Sequence, residues 1–223
     1  MKFILVAALL TGSPEMATPR QAHAVLAGQV QTGTLIISKG DCLAIKIYSA
    51  SSYTHVAAVV VDEGTISVYD STGGAGVRKQ FLGEYLASQN DHTLYFFQPR
   101  RPFTEAQADR FEDHLAAQLG RPYAIRHHLT GERCEGLHCS EYVTDALISA
   151  DLLRAQEPAR VSPATLVEGI VRSGLYDEAQ TIQLVPEPPV CPESAGWCAR
   201  LWFATKLCTS DCYCKLRGWF CCK

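Results

Sequence analysis

The stretch Thr54-His55-Val56-Ala57-Ala58-Val59-Val60-Val61-Asp62-Glu63-Gly64-Thr65-Ile66-Ser67-Val68-Tyr69-Asp70 decides the fold. Val56 to Val61 is apolar at every position, the mark of a strand buried on both faces and therefore central in its sheet. Thr65 to Asp70 alternates instead, as a strand with one face on a core does. Asp62-Glu63-Gly64 is a tight hairpin connection, so the two strands run antiparallel. His55 opens the first strand and Asp70 closes the second, which returns both side chains to one edge of the sheet.

Outward from this hairpin, Thr34 to Ser38 and Thr93 to Gln98 read as two further strands. Helix signals follow. Thr104 with Gln107 forms a capping box, Phe111, Leu115 and Leu119 repeat along one face, and Gly120 with Pro122 stops the helix. A second helix is expected from about Cys139 to Leu152, with Val143 and Leu147 on its inner face. A third opens with Ser162 as cap and Pro163 in its first turn, runs through Leu166 and Ile170, and closes at Gly174. The predicted class is α+β, an antiparallel sheet packed against helices.

The chain has 223 residues, 47% hydrophobic and 19% charged, enough for one ordinary domain with something left over. A formal net charge of −3 lacks the basic footprint that a nucleic-acid partner requires. The longest apolar run, Phe3 to Leu10, falls far short of the roughly 20 residues that span a bilayer. Lys2, that run and Ala22-His23-Ala24 have the three parts of a secretory signal cleaved after Ala24, although Ser13, Pro14, Glu15, Pro19 and Arg20 stretch its middle. Residues 1–24 are accordingly read either as a processed signal, which places the protein in the cell envelope or outside, or as a disordered N-terminus of a cytoplasmic protein.

Cysteine usage marks a boundary. Of ten cysteines, Cys42, Cys134 and Cys139 precede Pro186-Glu187-Pro188-Pro189, whereas Cys191, Cys198, Cys208, Cys212, Cys214, Cys221 and Cys222 follow it. The expected organisation is a catalytic domain over 29–186 and a cysteine-rich tail over 187–223. The tail thiols imply disulfides, a metal cluster, or an unstructured or interfacial segment. Cys212-x-Cys214 and the vicinal Cys221-Cys222 are too tight for ordinary tetrahedral pairs. Trp197, Leu201, Trp202, Leu207 and Trp219 suit contact with a partner or a membrane surface, or cover the main domain.

The chemistry concentrates in Gly136-Leu137-His138-Cys139-Ser140-Glu141-Tyr142-Val143, where Cys139 sits at a helix start whose amides and dipole favour a thiolate. His55 is the candidate base, and Asp70 the candidate group that orients its ring. Asp70 also precedes Ser71-Thr72-Gly73-Gly74, where it reads equally as a turn initiator. Cys42 is expected in the core. His127, His128, His138 and Cys134 lack a second ligand pair, so neither a metal nor a cofactor is expected.

Gly40-Asp41, Thr54-His55-Val56, Gly120-Arg121-Pro122-Tyr123, Cys139-Ser140-Glu141-Tyr142-Val143 and Ser162-Pro163, in that order across about residues 29–178, resemble the permuted papain-like amidases and hydrolases of the YiiX/YebB group. These are relatives of the NlpC-type cell-wall endopeptidases, with the histidine strand before the cysteine helix. The resemblance implies a circularly permuted papain-like fold, Cys139 as nucleophile, His55 as general base, Asp70 in the third polar position and Tyr123 beside the oxyanion. Tyr123 otherwise packs against Pro122. The implied reaction is acyl transfer on an amide of a peptide or cell-wall material, or on an ester of a lipid, since related enzymes include lipid acyl hydrolases and acyltransferases. The rival readings are an inactive binding module and a scaffold for a functional tail. If Cys139 is free, nine cysteines remain, and Cys134 lies close enough in sequence to bridge it on oxidation. The enzymatic reading requires Cys139 and His55 to face each other across a cleft that solvent reaches.

Overall fold

In a computed structural model of the chain, the described residues are 15–39, 53–89, 92–126, 130–131, 133, 135–187 and 196–220. Gly40-Asp41, Cys42, His127, His128, Cys134, Cys191, Cys221 and Cys222 lie outside them, and with them the proposed Cys134–Cys139 bridge and the core placement of Cys42. Contacts divide the chain into Met1–Pro186 and Glu187–Lys223.

The first unit is built on a sheet of seven strands: β1 (Glu15–Ala17), β2 (Leu35–Ser38), β3 (His55–Asp62), β4 (Thr65–Thr72), β5 (Gly76–Phe81), β6 (Thr93–Pro99) and β7 (Tyr176–Leu184), in the order β1-β7-β6-β2-β3-β4-β5. Every pairing is antiparallel except β1 on β7. In the β3–β4 hairpin Val59 faces Val68 and Ala57 faces Asp70. Glu63 and Gly64 take φ of 45° and 83°, the left-handed pair that a two-residue turn between twisted strands requires.

Alternation divides the core. Leu35, Ile37, Val56, Ala58 and Val60 face α3 (Glu105–Ala117), α4 (Cys139–Ser149) and α5 (Pro163–Arg172), meeting Phe111, Leu115, Tyr142, Val143, Leu147 and Ile170. Ile36, Ala57, Val59 and Val68 face the other way, against α1 (Pro19–Leu26) and α2 (Leu82–Ser88) through Ala22, Leu26, Leu82, Tyr85 and Leu86. The result is a mixed α+β domain with a sheet packed between helices.

The structure departs from the sequence reading at several points. Three strands were unforeseen. β1 has only three residues, β5 is an edge strand with a mostly polar sequence, and β7 interrupts its alternation at Gln180. Leu119 is exposed because α3 ends at Ala117, before Gly120 turns the chain at φ 83°. Likewise α4 ends at Ser149, and the amides of Leu152 and Leu153 both fold back to the Leu147 carbonyl. Residues 15–26 are ordered: β1 adds to the sheet, Thr18 and Gln21 cap α1 reciprocally, and Ala22 and Leu26 are buried. Cutting after Ala24 would sever α1 within its last turn.

The second unit contains α6 (Trp197–Phe220). Cys198 and Cys208 are exposed thiols ten residues apart on this helix, hence about 15 Å along its axis, too far to pair with each other. Trp197, Leu201 and Trp202 are exposed on its first turns. Among the described residues, no helix is long and apolar enough to cross a membrane.

Candidate active site

The strand ahead of α4 is held in place before the helix begins. Leu137 donates its amide to the Pro122 carbonyl at 2.9 Å, and its own carbonyl accepts the Ser71 hydroxyl at 2.7 Å. Tyr123 pairs with Leu137 as an isolated parallel bridge, which brings its backbone alongside the residue two before Cys139. Gly136 is required here: a Cβ would lie 2.6 Å from that of Ala124 and 2.7 Å from the Pro122 carbonyl oxygen. His138 is then extended, with its Nδ1 accepting the Glu141 amide at 3.3 Å as the N-cap. Cys139 is the first helical residue, where amide dipoles point at its sulfur.

The partner imidazole comes from the sheet. His55, opposite Ser38 at the start of β3, donates Nε2–H to Asp70 Oδ2 at 3.1 Å. Asp70 is wholly buried and takes a two-pronged grip from Arg78, Nε to Oδ1 at 2.8 Å and a terminal nitrogen to Oδ2 at 3.2 Å. Arg78 reaches it because the two residues are directly opposite in the β4–β5 ladder. His55 and Cys139 are also near enough for each to shift the other's pKa. With Nε2 committed to Asp70, Nδ1 is the nitrogen left to exchange a proton with the sulfur. A continuous relay of contacts therefore runs Arg78, Asp70, His55, Cys139.

The charges follow from these contacts. Burial by itself lowers the His55 pKa, but hydrogen bonds to Asp70 and Cys139 outweigh it and raise it to about 10. Burial alone would raise the Cys139 pKa, yet contacts with His138 and His55 bring it down to about 6. Between about 6 and about 10 the pair is thiolate and imidazolium. For Asp70 the cost of burial is overcome by His55 and Arg78, which hold its carboxyl below the usual carboxylate range. His138 feels opposed pressures: burial lowers its pKa, while Cys139, the Ala159 carbonyl and Glu141 raise it on balance.

Cys139, His55 and Asp70 thus converge, and Tyr123 reaches the same region through its backbone. The expected open cleft is a different matter. Cys139 is 2% exposed and the His55 side chain 16%, so the pair meets beneath the surface rather than across a groove. The two cavities described, beside Phe103 and Leu175 and beside Ile148 and Leu153, include none of these residues. Sequence reasoning missed Arg78 because it missed β5. His138 looked like a loop residue, since histidine is an unusual N-cap.

No protein-family model matches the chain, and no curated protein matches it. Among solved structures, the chain is similar to YiiX. A crystal structure of that metalloprotein, from Escherichia coli O157:H7, aligns with a TM-score of 0.47 and 18% identity over 72% of this chain and 99% of that one. Among the described residues, no group of three or more His, Cys, Asp or Glu side chains is gathered to hold a metal ion.

Proposed function

We propose that the chain is a cysteine-dependent hydrolase of permuted papain-like fold, acting on an amide or ester by acyl transfer. One observation carries this reading: the buried contact of Cys139 with His55, itself backed by Asp70. In the proposed cycle the thiolate attacks the substrate carbonyl, forming a C–S bond while charge moves onto the oxygen. The Cys139 amide and Tyr123 stabilise that oxyanion. Imidazolium His55 gives its proton to the leaving nitrogen or oxygen as the C–N or C–O bond breaks. Water, deprotonated by His55, then cleaves the thioester, releasing an acid and restoring the thiolate–imidazolium pair. Peptides, cell-wall material and lipid acyl groups are the proposed substrate classes, and residues 187–223 a separate tail that meets a partner or an interface.

The burial of Cys139 favours a second reading, a binding module that keeps the constellation without turnover. Screening wild type and Cys139→Ala against amide and ester libraries separates them. The hydrolase reading expects turnover by wild type that Cys139→Ala abolishes while circular dichroism stays the same. Turnover by neither protein would favour the second reading, and equal turnover by both would show that Cys139 is not the nucleophile.

A further inference from the structure

Two imidazoles lower the Cys139 pKa, and the hydrolase reading above uses one of them. The other belongs to His138, 4% exposed, and its surroundings differ in kind from those of His55. Nε2 of His138 lies 2.8 Å from the Ala159 carbonyl oxygen, which can only accept, so Nε2 carries a hydrogen. Nδ1 receives the Glu141 amide, which can only donate, so Nδ1 presents its lone pair. The Ser140 hydroxyl, 3.2 Å from Nδ1, gives its proton to the Val161 carbonyl at 2.7 Å and so turns a lone pair toward Nδ1, the one neighbour there that would accept a proton from it. A second proton on the ring would set N–H against N–H and uncap α4.

We propose that His138 is a positioning residue, locked as the neutral Nε2–H tautomer, which fixes the helix start that carries the sulfur and leaves proton transfer to His55 alone. This rests on the hydrolase reading. Nearby charges pull against the lock: the Cys139 thiolate, and the Glu141 carboxylate with Oε2 at 3.8 Å from Nε2; a neutral His138 has no proton for the sulfur, so the lowered Cys139 pKa then rests on His55 and the helix start. Arg133, 3.7 Å from the other Glu141 oxygen, offsets that carboxylate. The capping geometry decides between them, because a cationic His138 loses the Glu141 amide. His55 has the reverse arrangement, an anionic carboxylate on Nε2 and the Cys139 thiolate near, and both favour its proton. Ala159 lies within the short 3-10 turn Pro158–Arg160 and Val161 follows it, so His138 and Ser140 also latch that turn to the nucleophile.

The test uses the full chain with 15N-labelled histidine, read by long-range proton–nitrogen NMR at neutral pH. His138 is expected neutral with Nε2 protonated, and His55 protonated on both nitrogens. A cationic His138, or one protonated at Nδ1, overturns the proposal. The pH dependence of Cys139 alkylation by iodoacetamide, followed on its own proteolytic peptide, is the second readout. His138→Asn keeps a capping acceptor and is expected to leave the inflection within about half a pH unit of wild type. His138→Ala is expected to move it up by about one, roughly a fivefold lower rate at the wild-type inflection. Equal shifts in both variants overturn the positioning role, and if His138→Ala does not fold, His138→Asn and the tautomer decide. A wild-type inflection near that of an ordinary thiol overturns the hydrolase reading instead, and leaves the tautomer result standing.

Discussion

Replacing Asp70 by Asn removes one charge and almost no volume from the site. Asp70 is wholly buried, so little solvent or salt screens its attraction for His55 and for Arg78, which is itself partly exposed. Breaking a buried ion pair from one side costs about 3–5 kcal/mol; with water able to reach Arg78, we expect about 3 kcal/mol, roughly 6–12 °C in Tm for a domain of this size. The sign with pH is that of a lowered carboxylate: its stabilisation is present above the ordinary value of 3.8 and lost as pH falls below it. The chemical effect is larger than the structural one. Without the carboxylate His55 loses its strongest support for the proton, and the thiolate loses its counter-charge. Returning Cys139 from about 6 to the ordinary 9.0 would cut its thiolate share at neutral pH from about nine-tenths to about one-hundredth. The helix start remains in the variant, so the expected outcome lies between these limits. Alkylation of the Cys139 peptide, followed by mass spectrometry against pH, should inflect near 6 in wild type and at least about one pH unit higher in Asp70→Asn. An unchanged inflection in a folded variant would falsify the claim that Asp70 sustains the ion pair.

Arg78→Lys keeps the charge but not the two-pronged grip, so it should lower the alkylation rate at the wild-type inflection by about threefold to tenfold, and a rate equal to wild type would show the fork to be unnecessary. Gly136→Ala drives a methyl into the Ala124 side chain and the Pro122 carbonyl, and should cost about 1–3 kcal/mol in chemical denaturation; a cost below a few tenths would mean the segment relaxes freely. A chain beginning at Val25 loses β1, the capping box and the burial of Ala22. It should melt roughly 4–8 °C below one that keeps residues 15–24, for a loss on the order of 2 kcal/mol; equal melting temperatures would show that this segment adds nothing to the fold.

What could be read in advance depended on whether a residue's role was local. The β3–β4 hairpin was legible because an unbroken apolar run, a turn with glycine and an alternating run specify register between neighbours. The caps at Thr104 and Ser162 were legible for the same reason, since a capping box is complete within four residues. Arg78 was not. Its partner lies eight residues back, and the strand that carries it has a polar sequence because it closes the sheet at one edge. β7 stayed hidden because what holds it is contact with β6, far away in sequence, and with β1, inside a segment whose composition also reads as a secretory signal. His138 illustrates the opposite error. In the sequence the ring reads as a weak metal ligand, whereas in the fold its nitrogens meet the Ala159 carbonyl and the Glu141 amide.

The end of β4 explains why a site assembled from such distant pieces can hold its geometry. Successive residues of a strand point to opposite faces. Asp70 takes the face of Val68 and meets His55, whereas Ser71 takes the other face and binds the carbonyl of Leu137, two residues before the nucleophile. Adjacent positions of one strand therefore position both halves of the pair, the base directly and the sulfur through the segment that launches its helix. A slip of one residue in the β3–β4 register would exchange these faces, aiming the carboxylate at a backbone carbonyl and a hydroxyl at the imidazole. The register is protected by the Val59–Val68 and Val61–Ile66 pairs, whose apolar side chains would also be turned out of their packed faces by such a slip. Hydrophobic burial at the middle of the hairpin thus sets the placement of charge at its end, and the sulfur can lie beneath the surface without losing its partner.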